Sequence, residues 1–366
     1  MFIFIVIYSV VMAIFTLLPT LRYEAWYIRG FDFPRLQFSI LLIFLLILQC
    51  IFLDFSSPMA YGLVLVSLFC LGCQLWRIVP YMFLFPIQVG RVSSREGHLE
   101  DYDNISILTA NVQGSNRRAA DFLDIVKRYN PDIILTLESN KWWQSQLDTL
   151  EASYPYTIKC PLENLYGMHV YSKLPLSDSQ IQFLVEDNVP SMHTLVQTPQ
   201  GHMINAHFLH PAPPSPTEND TSEERDAELL VVAEKVKDKT SPIIVAGDFN
   251  DVTWSRTTRL FRKVSGLLDP RIGRGLFNTF HAKYWFIRWP LDHLFHSKHF
   301  KLLSIQRLQE FGSDHFPLLI HLQIQAQVVA DESTESLAPR EESVAQEKTA
   351  QQNVDVSDVA SLGSSK

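Results

Sequence analysis

Three apolar runs without a charged residue open this 366-residue chain: Phe2 to Leu18, Phe38 to Leu53, and Ala60 to Trp76, the last continued by a largely apolar stretch to Phe85. No other feature narrows the fold so much. Each run is close to the roughly 17 to 25 residues that a helix needs to cross a bilayer core, and lipid leaves the backbone no hydrogen-bond partner outside its own segment. A cleaved leader would explain only the first run, which lacks basic leading residues and a small-residue cleavage pattern. A buried helical hairpin of a soluble core is the rival reading, but three such runs at one end exceed what a soluble core uses. Residues 1–86 are therefore expected to be a membrane region with three transmembrane helices, followed by a linker over 87–103.

Lysine and arginine set the expected orientation. The first loop carries Arg22, Arg29 and Arg35, the second loop, Asp54 to Met59, carries none, and Arg77, Arg91 and Arg95 follow the third run. An even number of spans separates the two basic segments, so they share a side. By the positive-inside rule that side is cytoplasmic and the N-terminus is outside. Cys50, Cys70 and Cys73 lie in apolar spans and Cys160 stands alone, which suggests neither a disulfide framework nor a cysteine metal site. The C-x-x-C spacing of Cys70 and Cys73 reads as helix packing, because redox chemistry needs an accessible thiolate.

The far end differs again. Residues 326–366 lack aromatic side chains and periodicity and hold Asp331, Glu332, Glu335, Glu341, Glu342 and Glu347, so they are expected to form a disordered acidic tail. Much of the formal net charge of −8 belongs to that tail, and no long basic stripe announces nucleic acid.

Residues 104–325 read as a globular domain of short apolar strands broken by loops and occasional helices. Strands are expected at Ile105–Thr109, Asp132–Leu137, His169–Tyr171, Thr194–Gln197, His202–His207, Ile243–Ala246, His293–His296 and Leu318–Leu322, and helices at Arg117–Tyr129 and Glu223–Lys237. Pro211 to Pro216 is a rigid Pro-rich loop. The alternation argues an α/β or α+β domain with substantial sheet.

The strand tips then line up. Asn111 follows ISILTA, Glu138 follows IILTL, His207 follows HMINA, Asp248 and Asn250 follow IIVAG, Asp292 follows RWPL, and Asp314 with His315 sits in GSDHFPLL. A single polar tip is usually a turn former or a helix cap, and Asp251 and Ser115 are read that way. A lone histidine is more often a satisfied structural residue, the reading given to His210, His281 and His293. Six tips that use carboxylate, carboxamide and imidazole are better explained by one site.

With these motifs the middle domain resembles the endonuclease/exonuclease/phosphatase superfamily: N-x-Q at Asn111, Leu135-Thr-Leu-Glu138, Ala206-His207-Phe208, Gly247-Asp-Phe-Asn250, Leu291-Asp292-His293 and Gly312-Ser-Asp-His315-Phe-Pro appear in its order. The paired GDFN and SDH signals are the specific ones. The resemblance implies two packed mixed sheets flanked by helices, a four-layer sandwich, and it points to a bacterial membrane-anchored subgroup, hence a multi-pass protein of a bacterial inner membrane. It also implies a divalent metal, Mg²⁺ or Mn²⁺, held by Glu138 with Asn111 and Asp314. Asp248 would orient or deprotonate the attacking water, and Asn250 and His207 would contact the phosphate or leaving group. His315, paired with Asp292, would complete the site.

Gln113 stands where some nuclease members have an acid, which puts a second metal-binding carboxylate in doubt. Trp285 and Trp289, in an aromatic loop before Asp292, are candidates to stack on a base or enter a lipid interface, with Trp289 taken as substrate-binding. Arg117, Arg118, Arg271, Arg274 and Arg288 could line an anionic substrate but are scattered in sequence. Three readings follow: a membrane-anchored metal-dependent phosphoesterase acting on a lipid headgroup or another small phosphate ester, a membrane-tethered nuclease, and a non-catalytic interaction module. The partners expected are the bilayer and a phosphate-ester substrate, and no protein partner is indicated.

Overall fold

The three apolar runs are helices in the computed structural model, which describes residues 1–92, 103–237, 239–325 and 336–363. Helix α1 spans Phe2–Leu17, the one-turn α2 Trp26–Arg29, α3 Arg35–Phe52 and α4 Pro58–Ile78. Ser57 caps α4 by accepting from the Met59 amide, and Pro58 stands at the first turn, where a missing N–H costs nothing. The segments containing α1, α3 and α4 are long and apolar enough to cross a membrane. Their outer faces expose Ile3, Ile7, Phe44, Leu65 and Phe69, an apolar surface larger than a soluble monomer tolerates. Polar side chains turn inward instead. Gln49 donates to Ser9 (3.1 Å) and Ser67 (2.8 Å), and Gln74 donates to Thr16 (3.1 Å) and accepts from Arg35 (3.0 Å). Such interhelical hydrogen bonds hold helices together where no hydrophobic driving force separates them from lipid.

The rest of the described chain builds two sheets. Strands β1 (Asn104–Asn111), β2 (Ile133–Leu137), β3 (Tyr156–Cys160) and β4 (Met168–Ser172) belong to the first, with α5 (Ala119–Tyr129) and α6 (Lys141–Leu147) between them. Strands β5 (Leu176–Gln182), β6 (Ser191–Gln197), β7 (Met203–Leu209), β8 (Ile243–Asp248) and β9 (Asp292–His296) form the second, with α7 (Glu223–Val236) and α8 (Arg256–Ser265) inserted. Strands β10 (Phe300–Arg307) and β11 (Leu318–Ile324) return to the first sheet, giving the orders β10-β11-β1-β2-β4-β3 and β5-β6-β7-β8-β9. Only β1/β2 and β7/β8 pair in parallel, so both sheets are mixed. Ile107, Leu135, Val170, Phe208, Ala246 and Leu294 fill the space between the sheets. Phe122, Trp143 and Phe311 pack under α5 and α6, while Leu230, Phe249 and Phe261 pack under α7 and α8. The four-layer sandwich is therefore observed.

Several elements exceed the expectation. Strand β5 is almost wholly exposed along LSDSQIQ, so an edge strand without an apolar face gave no alternation to read. The segment expected to be disordered folds in part. Helix α9, Pro339–Gln351, lies against α7 and α8, with Ala345, Val354 and Val359 buried in their core, which corrects the reading of the tail; residues 326–335 and 364–366 lie outside the described residues. Ion pairs supply the rest of its footing. Lys348 reaches Glu24 (2.6 Å) and Asp226 (2.8 Å), Lys263 reaches Glu341 (2.8 Å), and Lys237 reaches Glu342 (2.8 Å).

The loop between α1 and α3 and the turn that follows α4 are docked on the domain. Ala25 bridges Thr221, the Trp254 indole donates to the Asp32 carbonyl (2.7 Å), and the Tyr81 hydroxyl donates to the Thr253 carbonyl (3.0 Å). Phe33, Leu36 and Trp289 close over Trp254, Ile272 and Leu291.

Glu228 of α7 makes a pH prediction. Its side chain is buried, its Oε1 has no partner, and burial, reinforced by Glu186, pushes its carboxyl up to about 8. A folded-state value above the unfolded one means that the native state binds the extra proton, so stability falls as pH rises through the window from the unfolded value to about 8. Thermal unfolding should show wild type losing stability as pH rises from the ordinary carboxyl range to about 8, whereas Glu228→Gln, in which the other raised carboxyls remain, loses less over that range and exceeds wild type at pH 9. Parallel curves would refute this account.

Candidate active site

Two parallel strand pairs converge on one edge. β1 ends in Asn111, β2 is followed by Glu138, β7 by His210, and β8 ends in Asp248, so the two βαβ units deliver their tips to the same place. β9 starts there with Asp292, whose backbone pairs with Asp248. Gly247 permits the close approach: at φ +146° its position would put a Cβ 1.9 Å from the Leu209 carbonyl oxygen, a clash for any other residue. Glu138 (φ 55°) and Asn250 (φ 50°) both turn off their strands in the left-handed region, which costs energy that the packed scaffold sustains.

The side chains meet. Asn111 Nδ2 donates to Glu138 Oε1 (2.8 Å) and Asp248 Oδ2 (3.3 Å). The backbone N–H of Asn250 donates to Asp248 Oδ1 (2.9 Å), and its carboxamide donates to the Pro211 carbonyl (3.0 Å). His315 Nδ1 lies 2.8 Å from Asp292 Oδ2, and Nε2 lies 3.6 Å from Asp248 Oδ2. Ser313 ties the last loop to the first strand by donating to the Asn111 carbonyl (2.8 Å) and accepting from the His315 amide (3.1 Å).

Burial and crowding set the charges. Glu138 is pushed up to about 7 by burial, with Asp314 and Asp248 adding to a rise that Asn111 and His315 oppose. Burial and then Asp292 raise Asp248. For His315 burial acts to lower the value, yet Asp292 and Asp248 outweigh it and carry the ring up to about 10, so it holds both protons at neutral pH. His210, buried nearby, is driven down to about 4 by burial and stays neutral. Its Nδ1 and Asp292 Oδ1 are buried without a partner.

A cavity of about 310 Å³ opens over these groups, lined by Glu138, Asn250, Asp314, His315 and His210, with Phe280, Tyr166 and Phe33 as apolar walls. Phe33 comes from the loop between α1 and α3. The acids Glu138, Glu218 and Asp314 line the cavity, whereas among the described residues no lysine or arginine does. Carboxylates crowded in this way, Glu138, Asp248 and Asp292 with Asp314 at the cavity wall, are hard oxygen donors that suit a divalent cation. Ligand atoms of Asp248, Asp292 and His315 lie within 4.8 Å of one another, but the doubly protonated His315 ring offers no lone pair and serves as a donor instead.

Of the residues singled out in the sequence, Asn111, Glu138, Asp248, Asn250, Asp292, Asp314 and His315 come together here. Two do not. His207 is fully buried inside β7, on the same face as its neighbour Val245, where its Nδ1 lies 2.7 Å from that of His193 beneath α7. Trp289 sits behind the cavity, stacked on Phe280 (6.0 Å) and edge-on to Phe33 (5.5 Å). Two site residues were not foreseen, His210 and Phe33. The scattered arginines are already engaged: Arg271 with Asp269 and His293, Arg117 over Trp142, Arg118 with Asp121 and Glu310, and Arg274 and Arg288 with backbone carbonyls.

Solved structures share this architecture. An endonuclease/exonuclease/phosphatase from Beutenbergia cavernae DSM 12333 aligns at TM-score 0.50 and 16% identity, covering 61% of this chain and 72% of its own. The human Nocturnin catalytic domain with bound sulfate aligns at TM-score 0.51 and 16% identity, covering 67% and 99%. D. rerio TDP2 complexed with single-strand DNA product aligns at TM-score 0.50 and 16% identity, covering 60% and 98%. These similarities concern the fold. No curated protein sequence matches the chain. The family model for the endonuclease/exonuclease/phosphatase family matches residues 108–315, from β1 to the SDH histidine, and so spans the strand tips described above. The members of that family hydrolyse phosphate esters, typically with a divalent metal, and this chain belongs to the endonuclease/exonuclease/phosphatase family.

Proposed function

We propose that this chain is a membrane-anchored, divalent-metal-dependent phosphoesterase that hydrolyses a phosphate ester presented at the bilayer surface, such as a phospholipid headgroup. The observation that carries this reading is Phe33: a residue between two candidate membrane spans walls the cavity that holds Glu138, Asn250, Asp314 and His315. An acidic cavity without lysine or arginine suits a compact headgroup better than a nucleic-acid backbone, whose binding relies on basic side chains.

In this reading Glu138, Asn111 and Asp314 hold Mg²⁺ or Mn²⁺, which when bound neutralises phosphoryl charge. Asp248 accepts the proton of the attacking water and fixes its approach. His315, doubly protonated and braced by Asp292, donates from Nε2 to a phosphoryl oxygen, and Asn250 donates from its carboxamide. His210, neutral, takes the role that His207 was expected to fill. The helices over residues 2–81 anchor the domain in a bacterial inner membrane with the site on the cytoplasmic side.

The test uses full-length protein in detergent micelles against phospholipids, a soluble chromogenic phosphodiester, plasmid DNA and RNA. Turnover of lipid headgroups is expected, abolished by EDTA and restored by Mg²⁺ or Mn²⁺. Phe33→Ser should lower kcat/KM for the lipid about tenfold and that for the soluble diester much less, because the wall that is lost is the one contributed from between the apolar helices. Nicked plasmid with intact lipid would establish the nuclease reading instead, and turnover insensitive to EDTA would remove the metal.

A further inference from the structure

A second cavity, far more basic than the first, lies where the helices meet the domain. It encloses about 760 Å³ between the end of α1, the start of α3, the end of α4 and the start of α8, and Arg22, Arg35, Arg77, Arg256 and Arg259 all line it. Its acids are already satisfied. Asp32 is paired with Arg29 (3.3 Å) and Arg35 (2.6 Å), and Glu341 with Lys263 (2.8 Å). Arg22, Arg77 and Arg256 form no hydrogen bond or ion pair with any described residue. Arg35 is only 6% exposed, and its Nε has no partner. A buried guanidinium nitrogen without an acceptor carries a desolvation penalty that a bound anion would remove. A smaller cavity of about 170 Å³ shares Arg22, Arg256 and Arg259 and adds Lys263 and Arg340, extending the basic surface outward.

From this geometry we infer an anionic-phospholipid site, separate from the catalytic cavity, in which the arginines take a lipid phosphate while Phe69 and Trp76, 63% and 78% exposed on α4, run alongside its acyl chains. The position decides the occupant. The arginines stand at the ends of apolar helices, at headgroup depth, and the wall formed by Leu17, Phe69 and Trp76 continues along the faces that would meet lipid. A soluble anion would leave that wall unused. Planar guanidinium groups grip phosphate by paired hydrogen bonds, which a zwitterionic headgroup offsets with its own cation. The lipid here is a resident ligand that fixes the tilt of the domain on the bilayer. The inference rests on reading residues 2–81 as membrane spans, but not on the reaction proposed for the catalytic site.

Full-length protein in micelles is titrated with phosphatidylglycerol, phosphatidylcholine or inorganic phosphate, with the thermal midpoint as readout. Phosphatidylglycerol should bind at least tenfold more tightly than phosphatidylcholine, and Arg77→Gln/Arg256→Gln should abolish that preference. Arg22→Gln, at an exposed position, should weaken it several-fold and carries the test should the double variant fail to fold. Equal binding of the two lipids, or an unchanged preference in both variants, overturns the proposal. Inorganic phosphate matching phosphatidylglycerol in wild type and losing its effect in the double variant overturns the lipid as occupant. Alkaline carbonate extraction of native vesicles checks the spans independently: release of the protein would overturn the membrane reading itself, whereas retention together with equal lipid binding would overturn the lipid site alone.

Discussion

Asp248→Asn is expected to lower turnover about a thousandfold while leaving the protein folded, the range associated with loss of a positioned general base. The substitution keeps the size of the side chain and an acceptor for the Asn250 amide. It removes the group that can take a proton from water, and it sets an amide donor against Asn111 Nδ2 and His315 Nε2, which now face a carboxylate oxygen. It also relieves the repulsion between Asp248 and Asp292 that burial intensifies, so the thermal midpoint should hold or rise. Single-turnover rates on saturating substrate, beside a melting curve, separate the two effects. A variant retaining more than a tenth of wild-type rate would mean that water is activated elsewhere.

A pair of histidines three residues apart gives the second large effect. His210→Ala should lower kcat about a hundredfold with a smaller loss of stability than at His207, since its ring, though buried, borders a cavity that is already there. His207→Ala should do the reverse. Its ring is fully buried between β7 and α7 beside His193, so truncation leaves a void costing about 2 kcal/mol or more, while kcat per folded molecule stays close to wild type. Should the kinetic loss fall on His207 and the stability loss on His210, the site as built here is wrong.

That pair also shows where the sequence could be read and where it could not. Apolar runs ending in Asn111, Glu138 and Asp248 are legible because the core fills the strand and the polar residue marks its end. In Ala206-His-Phe-Leu-His210 both histidines are plausible tips, and the expected strand stops at His207. Pairing with β8 carries the ladder on through Leu209, so the residue that emerges is His210. A local signal was present in Pro211, which cannot donate to a ladder and so marks where a strand must stop. Phe33 carried no such signal, because its place in the cavity depends on how the first loop docks against Trp254 and Leu291, a contact between segments more than 200 residues apart. Helix α9 was hidden for another reason. Its sequence is polar because ion pairs from Glu341, Glu342 and Lys348 make up much of its interface, and composition alone reads such a segment as solvated.

Lys348 has a temporal consequence. It bonds at once to Glu24 of the first loop and to Asp226 of α7, and the neighbouring Arg225 donates to the Asn250 carbonyl (2.9 Å). Glu24 leaves the ribosome 324 residues before the lysine that completes its pairing. Until Lys348 is made, Asp226 has Arg225 as its cationic partner and Glu24 has the Ser222 hydroxyl, so the tie between the first loop and α7 through α9 forms only after the strands of both sheets have been made. A protein clipped before Lys348 would therefore keep both sheets and yet lose one of the contacts that hold the first loop, which carries the cavity wall Phe33, against the domain.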